Sequence, residues 1–430
     1  MEKLCIGLLT AVTAAVLAAG EVFTFVPVDR MPVYKCGEKA GFTLSVKKDG
    51  AAVKEGKYSI VYSMDSNREL GRLTVDLAQA NPVTVSLTAE QPCFVLAQVL
   101  DARGKAVVNT VKSKGKKKKV PVLAGVAFSP EKIQMGYGLP EDFMAFWQNG
   151  RRQIAQNPVK LDKVEKYSKG SYTTYYVTVQ TLNNETLTGY LSVPKAKGKY
   201  PVYITVPGAG PGICGPAGNW AGKGVITLAM NVHKFPTADN VSEQKARYEE
   251  DLKILPRYAA RGAGDRNSYF FYSVYVGIDR VINHVAAMPE WDGKHMVIDG
   301  SSQGGGAALL LAGLNKNITA LAANVPSMCD HGAFKQGRSA GGPRLSKTEN
   351  HAGYTPYFDG ANFARFIKVP ALLSCGFLDK TCSPSSIYAA YNQLKGVKQM
   401  FLMPREGHTV SKEYMAVRNR FVTEQLGMGQ

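Results

Sequence analysis

The chain has 430 residues, with hydrophobic residues at 45%, charged residues at 20% and a formal net charge of +18. This composition excludes a largely disordered or disulfide-scaffold protein, and the length points to two domains with sizeable cores. The basic excess admits a polyanionic partner, but no zinc-ligand spacing or aromatic-rich RNA-binding signature accompanies it, so nucleic acid is not expected as a partner.

At the start, Lys3 precedes an apolar run over residues 4–19, which Gly20 and Glu21 break. The run is shorter than the ~20 apolar residues that span a bilayer, and Ala18 and Gly20 are the small residues a signal peptidase requires. Residues 1–20 are therefore expected to be a signal peptide, and the mature protein to be exported without a membrane span. Cys36, Cys93, Cys214, Cys329, Cys375 and Cys382 would remain in it. Cys36 and Cys93 share one region and are candidates for a disulfide.

Residues 21–120 read as short strands. Phe42, Leu44 and Val46 alternate with Thr43 and Ser45 ahead of the Asp49-Gly50 hairpin signal. Further apolar runs follow at 58–63, 73–77, 83–87, 94–100 and 106–111. The spacing predicts a small all-β sandwich of immunoglobulin-like type, an accessory domain with no catalytic constellation of its own. Six lysines within residues 111–120 mark its end as a charged, solvated boundary.

Residues 121–430 follow a different pattern. Pro140-Glu141-Asp142-Phe143 opens a helix, with Phe143, Phe146 and Trp147 on one face. Residues 175–180 and 186–193 look like an antiparallel pair. Compact apolar strands then recur at 201–206, 225–231, 295–300, 318–325, 369–376 and 398–403, with helical patterns between several of them, as at 272–288 and 304–314. Such alternation predicts an α/β domain whose mostly parallel sheet is flanked by helices. Residues 330–365 have no clean period and are expected to form a loop or cap.

The chemistry centres on Gly300-Ser301-Ser302-Gln303-Gly304, a Gly-x-Ser-x-Gly elbow with Ser302 central. Glycines on either side let a strained strand-to-helix turn close without a Cβ clash. A serine hydroxyl needs a base, and the imidazole needs an orienting carboxylate. In the α/β-hydrolase fold these follow in the order Ser, acid, His. Asp379 follows the strand at 369–376 and His408 the strand at 398–403, where loops of such a sheet meet. His331 breaks the order, His351 lies in the irregular stretch, His233, His284 and His295 precede Ser302, and Asp359 does not follow a strand. The backbone amides of Gln303 and of Ala209, in Pro207-Gly208-Ala209-Gly210-Pro211-Gly212, are the expected oxyanion donors.

These residues resemble the acetyl xylan esterase and cephalosporin-C deacetylase family of α/β-hydrolases over about residues 130–430. The likeness includes Val325-Pro326-Ser327-Met328-Cys329-Asp330, the acid-bearing Cys375-Gly376-Phe377-Leu378-Asp379-Lys380-Thr381-Cys382-Ser383-Pro384 and Glu406-Gly407-His408. Around Asn231-Val232-His233-Lys234 the chain departs from the family's Arg-Gly-Gln-Gly segment. The resemblance implies deacetylation of acetylated xylan or related oligosaccharides by a triad of Ser302, Asp379 and His408. It also implies no metal or organic cofactor, and a pocket bordered by Pro326, Met328 and His331. An exported serine peptidase of the same fold and a non-catalytic glycan-binding protein remain alternatives. A His408 base would give an acid limb near pH 6.5, the ordinary imidazole value.

Overall fold

The computed structural model describes residues 21–429 apart from Ser66, Lys114, Leu255 and residues 346–352. The expected signal peptide and His351 lie outside the described residues.

In the N-terminal part, period-2 alternation buries every second side chain. Ala40, Phe42, Leu44 and Val46 point inward from Ala40–Lys48. That strand joins Glu21–Pro27, Ala51–Ala52 and Val83–Leu87 in one sheet. A second sheet orders Val33–Tyr34, Leu123–Phe128, Cys93–Leu100, Lys57–Met64 and Arg68–Asp76. The two share a core that includes Phe42, Ile60, Val95 and Val126, and removing this apolar surface from water holds them together.

Three expectations change here. Leu123–Phe128 pairs with Cys93–Leu100, so the sandwich runs past residue 120 to Phe128. In sequence, an apolar strand after a charged stretch reads as the start of the next domain. The lysine-rich boundary is itself a hairpin, Val108–Ser113 against Lys116–Pro121. Cys36 and Cys93 are both free thiols.

The larger sheet has nine strands, in the order Val159–Lys163, Tyr172–Gln180, Thr186–Pro194, Ile226–Met230, Tyr200–Thr205, Trp291–Ser301, Ala320–Asn324, Ala371–Gly376 and Lys398–Met403. The first three pairings are antiparallel and the rest parallel. Ile226–Met230, Ala320–Asn324 and Ala371–Gly376 are buried along their whole length, as strands covered by helices on both faces must be. Helices Phe270–Ala286 and Gln303–Leu314 supply part of that cover. Because Ile226–Met230 lies outside Tyr200–Thr205 and Trp291–Ser301 inside it, the winding reverses at Tyr200–Thr205. The loops leaving this switch point open on one crevice, the usual place for a ligand in such a sheet. Residues 330–365 contain short turns at Ala333–Gln336 and Thr355–Phe358 and a helix at Gly360–Ala364. Among the described residues no helix is long and apolar enough to cross a membrane.

Candidate active site

Trp291–Ser301 runs into the elbow at Ser302, which has φ 57° and ψ −118°. A side-chain-bearing residue adopts this conformation at a cost of about 1–3 kcal/mol and needs support from its surroundings. The Ser302 N–H donates to the Asn324 carbonyl at 2.9 Å. Its own carbonyl accepts from the N–H groups of Ser327 at 2.9 Å and Gly306 at 3.0 Å. A Cβ on Gly300 would lie 2.4 Å from the Gly304 carbonyl, and one on Gly304 2.2 Å from the Val206 oxygen. Strand, turn and helix therefore close up only with glycine at both positions. The helix Gln303–Leu314 begins here, directing the positive end of its dipole at the site.

Two further loops bring in Asp379 and His408. The Ser302 hydroxyl donates to His408 Nε2 at 2.9 Å, and His408 Nδ1–H donates to Asp379 Oδ2 at 2.8 Å. The other Asp379 oxygen accepts the N–H groups of Thr381 at 2.7 Å and Cys382 at 2.9 Å. Asp379 itself is only 5% exposed. The Asp379 carboxylate, and after it the Cys382 sulfur, hold His408 above its ordinary pKa of 6.5. An imidazole so held can take a serine proton while the carboxylate keeps its tautomer and orientation.

Asn324 ties these loops together. Its Nδ2 donates to the Thr409 carbonyl at 3.2 Å, its Oδ1 accepts from the Ser374 hydroxyl at 2.5 Å, and its backbone carbonyl holds Ser302. Its only mark in the sequence is that a polar residue closes an otherwise apolar strand.

The loop after Tyr200–Thr205 passes close to the elbow: a Cβ on Gly208 would lie 3.4 Å from the Ser301 oxygen and 4.0 Å from Ser302 Cβ. Buried His233 donates from Nε2 to the Gly210 carbonyl at 2.7 Å, and Gln244 donates to the Pro211 carbonyl at 2.6 Å. Desolvation lowers the His233 pKa and keeps the ring neutral. His233 therefore anchors this loop from a point in the chain ahead of Ser302.

A cavity of about 300 Å³ opens beside Ser302, with Ala209, Arg257, Tyr258, Gln303, Ser327 and Cys382 among its walls. The Tyr258 hydroxyl donates to Gln303 Oε1 at 2.5 Å. The expectation for the pocket border is corrected here, because Ser327 lines the cavity while Pro326, Met328 and His331 do not. Positive φ at Val325, Met328 and Asp330 coils the segment and breaks any simple alternation. Pro326 packs on Gly305, and Met328 Sδ accepts from the buried Tyr275 hydroxyl. The backbone of Asp330 and His331 is held by Asp359. Burial lowers the His331 pKa to about 4. Asp359 thus has a structural position, capping Gly360–Ala364. Gly342 and Pro343 also reach the cavity wall. Larger concavities of about 410 Å³ around Arg151 and about 890 Å³ along Val241–Ile254 lie against other residues. Among the described residues no group of three or more His, Cys, Asp and Glu is placed to hold a metal ion.

Residues 132–339 and 344–425 match the acetyl xylan esterase (AXE1) family. The chain belongs to the acetyl xylan esterase family. Over 300 residues this esterase is 32% identical to acetyl esterase Axe7A of Xylanibacter ruminicola, a match spanning 67% of the chain and 68% of that relative. Its fold is similar to acetyl xylan esterase 1 from Thermoanaerobacterium sp. JW/SL YS485 (TM-score 0.58, 21% identity), over 69% of this chain and 97% of that one. An acetyl xylan esterase from Paenibacillus sp. R4 is similar too (TM-score 0.57, 25% identity), over 69% and 98% of the two chains. This esterase is a carboxylic ester hydrolase of the α/β-hydrolase fold, with carbohydrate esterase activity and an acetylated carbohydrate as the implied substrate. The family match begins after the N-terminal sandwich.

Proposed function

We propose that this esterase removes acetyl groups from acetylated xylan or related oligosaccharides by a two-step acyl transfer on Ser302. The observation that carries the mechanism is the line of hydrogen bonds from Ser302 Oγ to His408 Nε2 (2.9 Å) and from His408 Nδ1 to Asp379 (2.8 Å). Ser302 Oγ attacks the acetyl carbonyl as His408 takes its proton, and the amides of Gln303 and Ala209 receive the negative charge on the carbonyl oxygen. The C–O bond to the sugar breaks, and His408 returns the proton to the departing sugar oxygen. Water, deprotonated by His408, then attacks the acyl carbon; the bond to Ser302 Oγ breaks, acetate leaves, and His408 returns the proton to Ser302 Oγ. Asp379 holds the imidazole in one tautomer throughout. The names of the relatives support acetyl as the acyl group, and a cavity of about 300 Å³, small for a ligand site, supports a compact one.

Acetate release from acetylated xylo-oligosaccharides, compared between wild type and Ser302→Ala, tests the reading. The expected fall is of order 10⁶ in kcat, the scale found when a triad serine is removed. Near-wild-type release by a folded Ser302→Ala protein would refute it. Preferential cleavage of a chromogenic dipeptide amide would replace the esterase with a peptidase. The apolar run at residues 4–19 supports export as part of the same proposal; N-terminal sequencing of the secreted protein should begin at Glu21.

A further inference from the structure

We infer that the lysine hairpin of the N-terminal sandwich is a binding arm for a polyanionic glycan, one that carries uronate carboxylates along its chain. Val108–Ser113 and Lys116–Pro121 form a two-stranded sheet of their own. Lys112 stands directly opposite Lys117, and like charges facing across a ribbon repel. Alternation places Lys119, across from Thr110, on the same face, and Lys116 and Lys118 on the other. All five lysines are exposed. Among the described residues, the ion pairs of the sandwich use Lys57, Arg72 and Arg103 and none of these five.

The ribbon is held in place at its base. The Asn109 side chain accepts from the Phe23 N–H at 3.0 Å and donates to the Phe23 carbonyl at 2.7 Å. It therefore presents a fixed, unneutralised cationic strip whose internal repulsion a bound polyanion would relieve.

The choice of a glycan rests on the carbohydrate esterase reading, since an arm tethered to that domain raises the local concentration of its substrate. The ribbon contains no aromatic residue, so it lacks the stacking platform on which proteins hold single-stranded nucleic acid. The cavity points independently to an acid-bearing substrate, because Arg257 lines it and, among the described residues, no Asp or Glu is in its walls.

The test measures binding of the full-length protein to polygalacturonate, uncharged xylan, duplex DNA and anionic phospholipid vesicles, for wild type and the Lys112→Gln/Lys117→Gln/Lys119→Gln variant. Polygalacturonate should bind wild type at least about tenfold more tightly than uncharged xylan, weaken with added salt, and lose about tenfold in the triple variant. The arm is overturned by equal affinity in the variant, by uncharged xylan binding as well, or by stronger binding of DNA or vesicles at matched charge. Binding is read without turnover, so failure of the arm and failure of the acetyl esterase reading are recorded separately.

Discussion

Phe94, in the sandwich, meets Phe377 edge-on with ring centroids 4.9 Å apart. Phe377 lies two residues before Asp379, and a Cβ on Gly125 of the sandwich would come within 2.9 Å of it. The Phe94 N–H also donates to Ser385 Oγ at 3.1 Å, in the helix that follows Asp379. The sandwich therefore buttresses the loop that carries the proposed triad acid. Phe94→Ala should lower stability by about 3–5 kcal/mol and reduce kcat at temperatures where the variant is still folded. Thermal melts paired with kinetics check this, and an unchanged kcat would show that the Asp379 loop stands without the sandwich.

The Asp379–His408 contact moves the pH profile. A raised imidazole pKa means that His408 is neutral, and able to accept the serine proton, only above that raised value. Activity should thus rise with pH through it, placing the acid limb of kcat/KM above the ordinary 6.5. Asp379→Asn should cost about 10⁴-fold in kcat and bring the residual limb back toward 6.5. A wild-type limb at or below 6.5 would count against His408 as the base.

Asp65 predicts a pH effect on stability. Its buried carboxyl accepts from the Ser385 hydroxyl at 2.7 Å, and burial pushes its pKa up from 3.8 to about 6. Between those values the folded chain keeps a proton that the unfolded chain has released. The resulting stabilisation is complete below about pH 4 and is lost as pH climbs through about 6. Asp65→Asn stays uncharged, so its stability loss between pH 5 and pH 7 should be smaller than that of wild type by about 1 kcal/mol. Denaturant melts at the two pH values measure the difference, and parallel behaviour of the two proteins would assign the proton elsewhere.

Gly304→Ala tests the closure of the elbow. The added methyl would sit 2.2 Å from the Val206 carbonyl oxygen, forcing the helix away from the loop that carries Ala209. Destabilisation of about 1–3 kcal/mol is expected, with a loss of turnover at low temperature larger than the unfolded fraction explains. A fully active variant would mean that the two backbones can separate without disturbing the site.

The sequence by itself determined the alternating strands and helices, the accessory strands and the elbow at Ser302. These follow from local rules: side-chain periodicity, glycine sterics at a tight turn, and the chain order of nucleophile, acid and base. Asp379 and His408 were legible because strand order and chain order run together from Trp291–Ser301 to the end of the sheet. Tertiary structure decided the rest. It brought the three side chains within hydrogen-bond distance, and it set Ile226–Met230 outside Tyr200–Thr205 to open the crevice. It also turned Ser327 to the cavity in place of Pro326, Met328 and His331. The positions of Asn324, His233 and Phe94 depend on partners far away in the chain, and no periodicity or motif encodes such a meeting. Each exists only once the sheets have packed and fixed the distance between them.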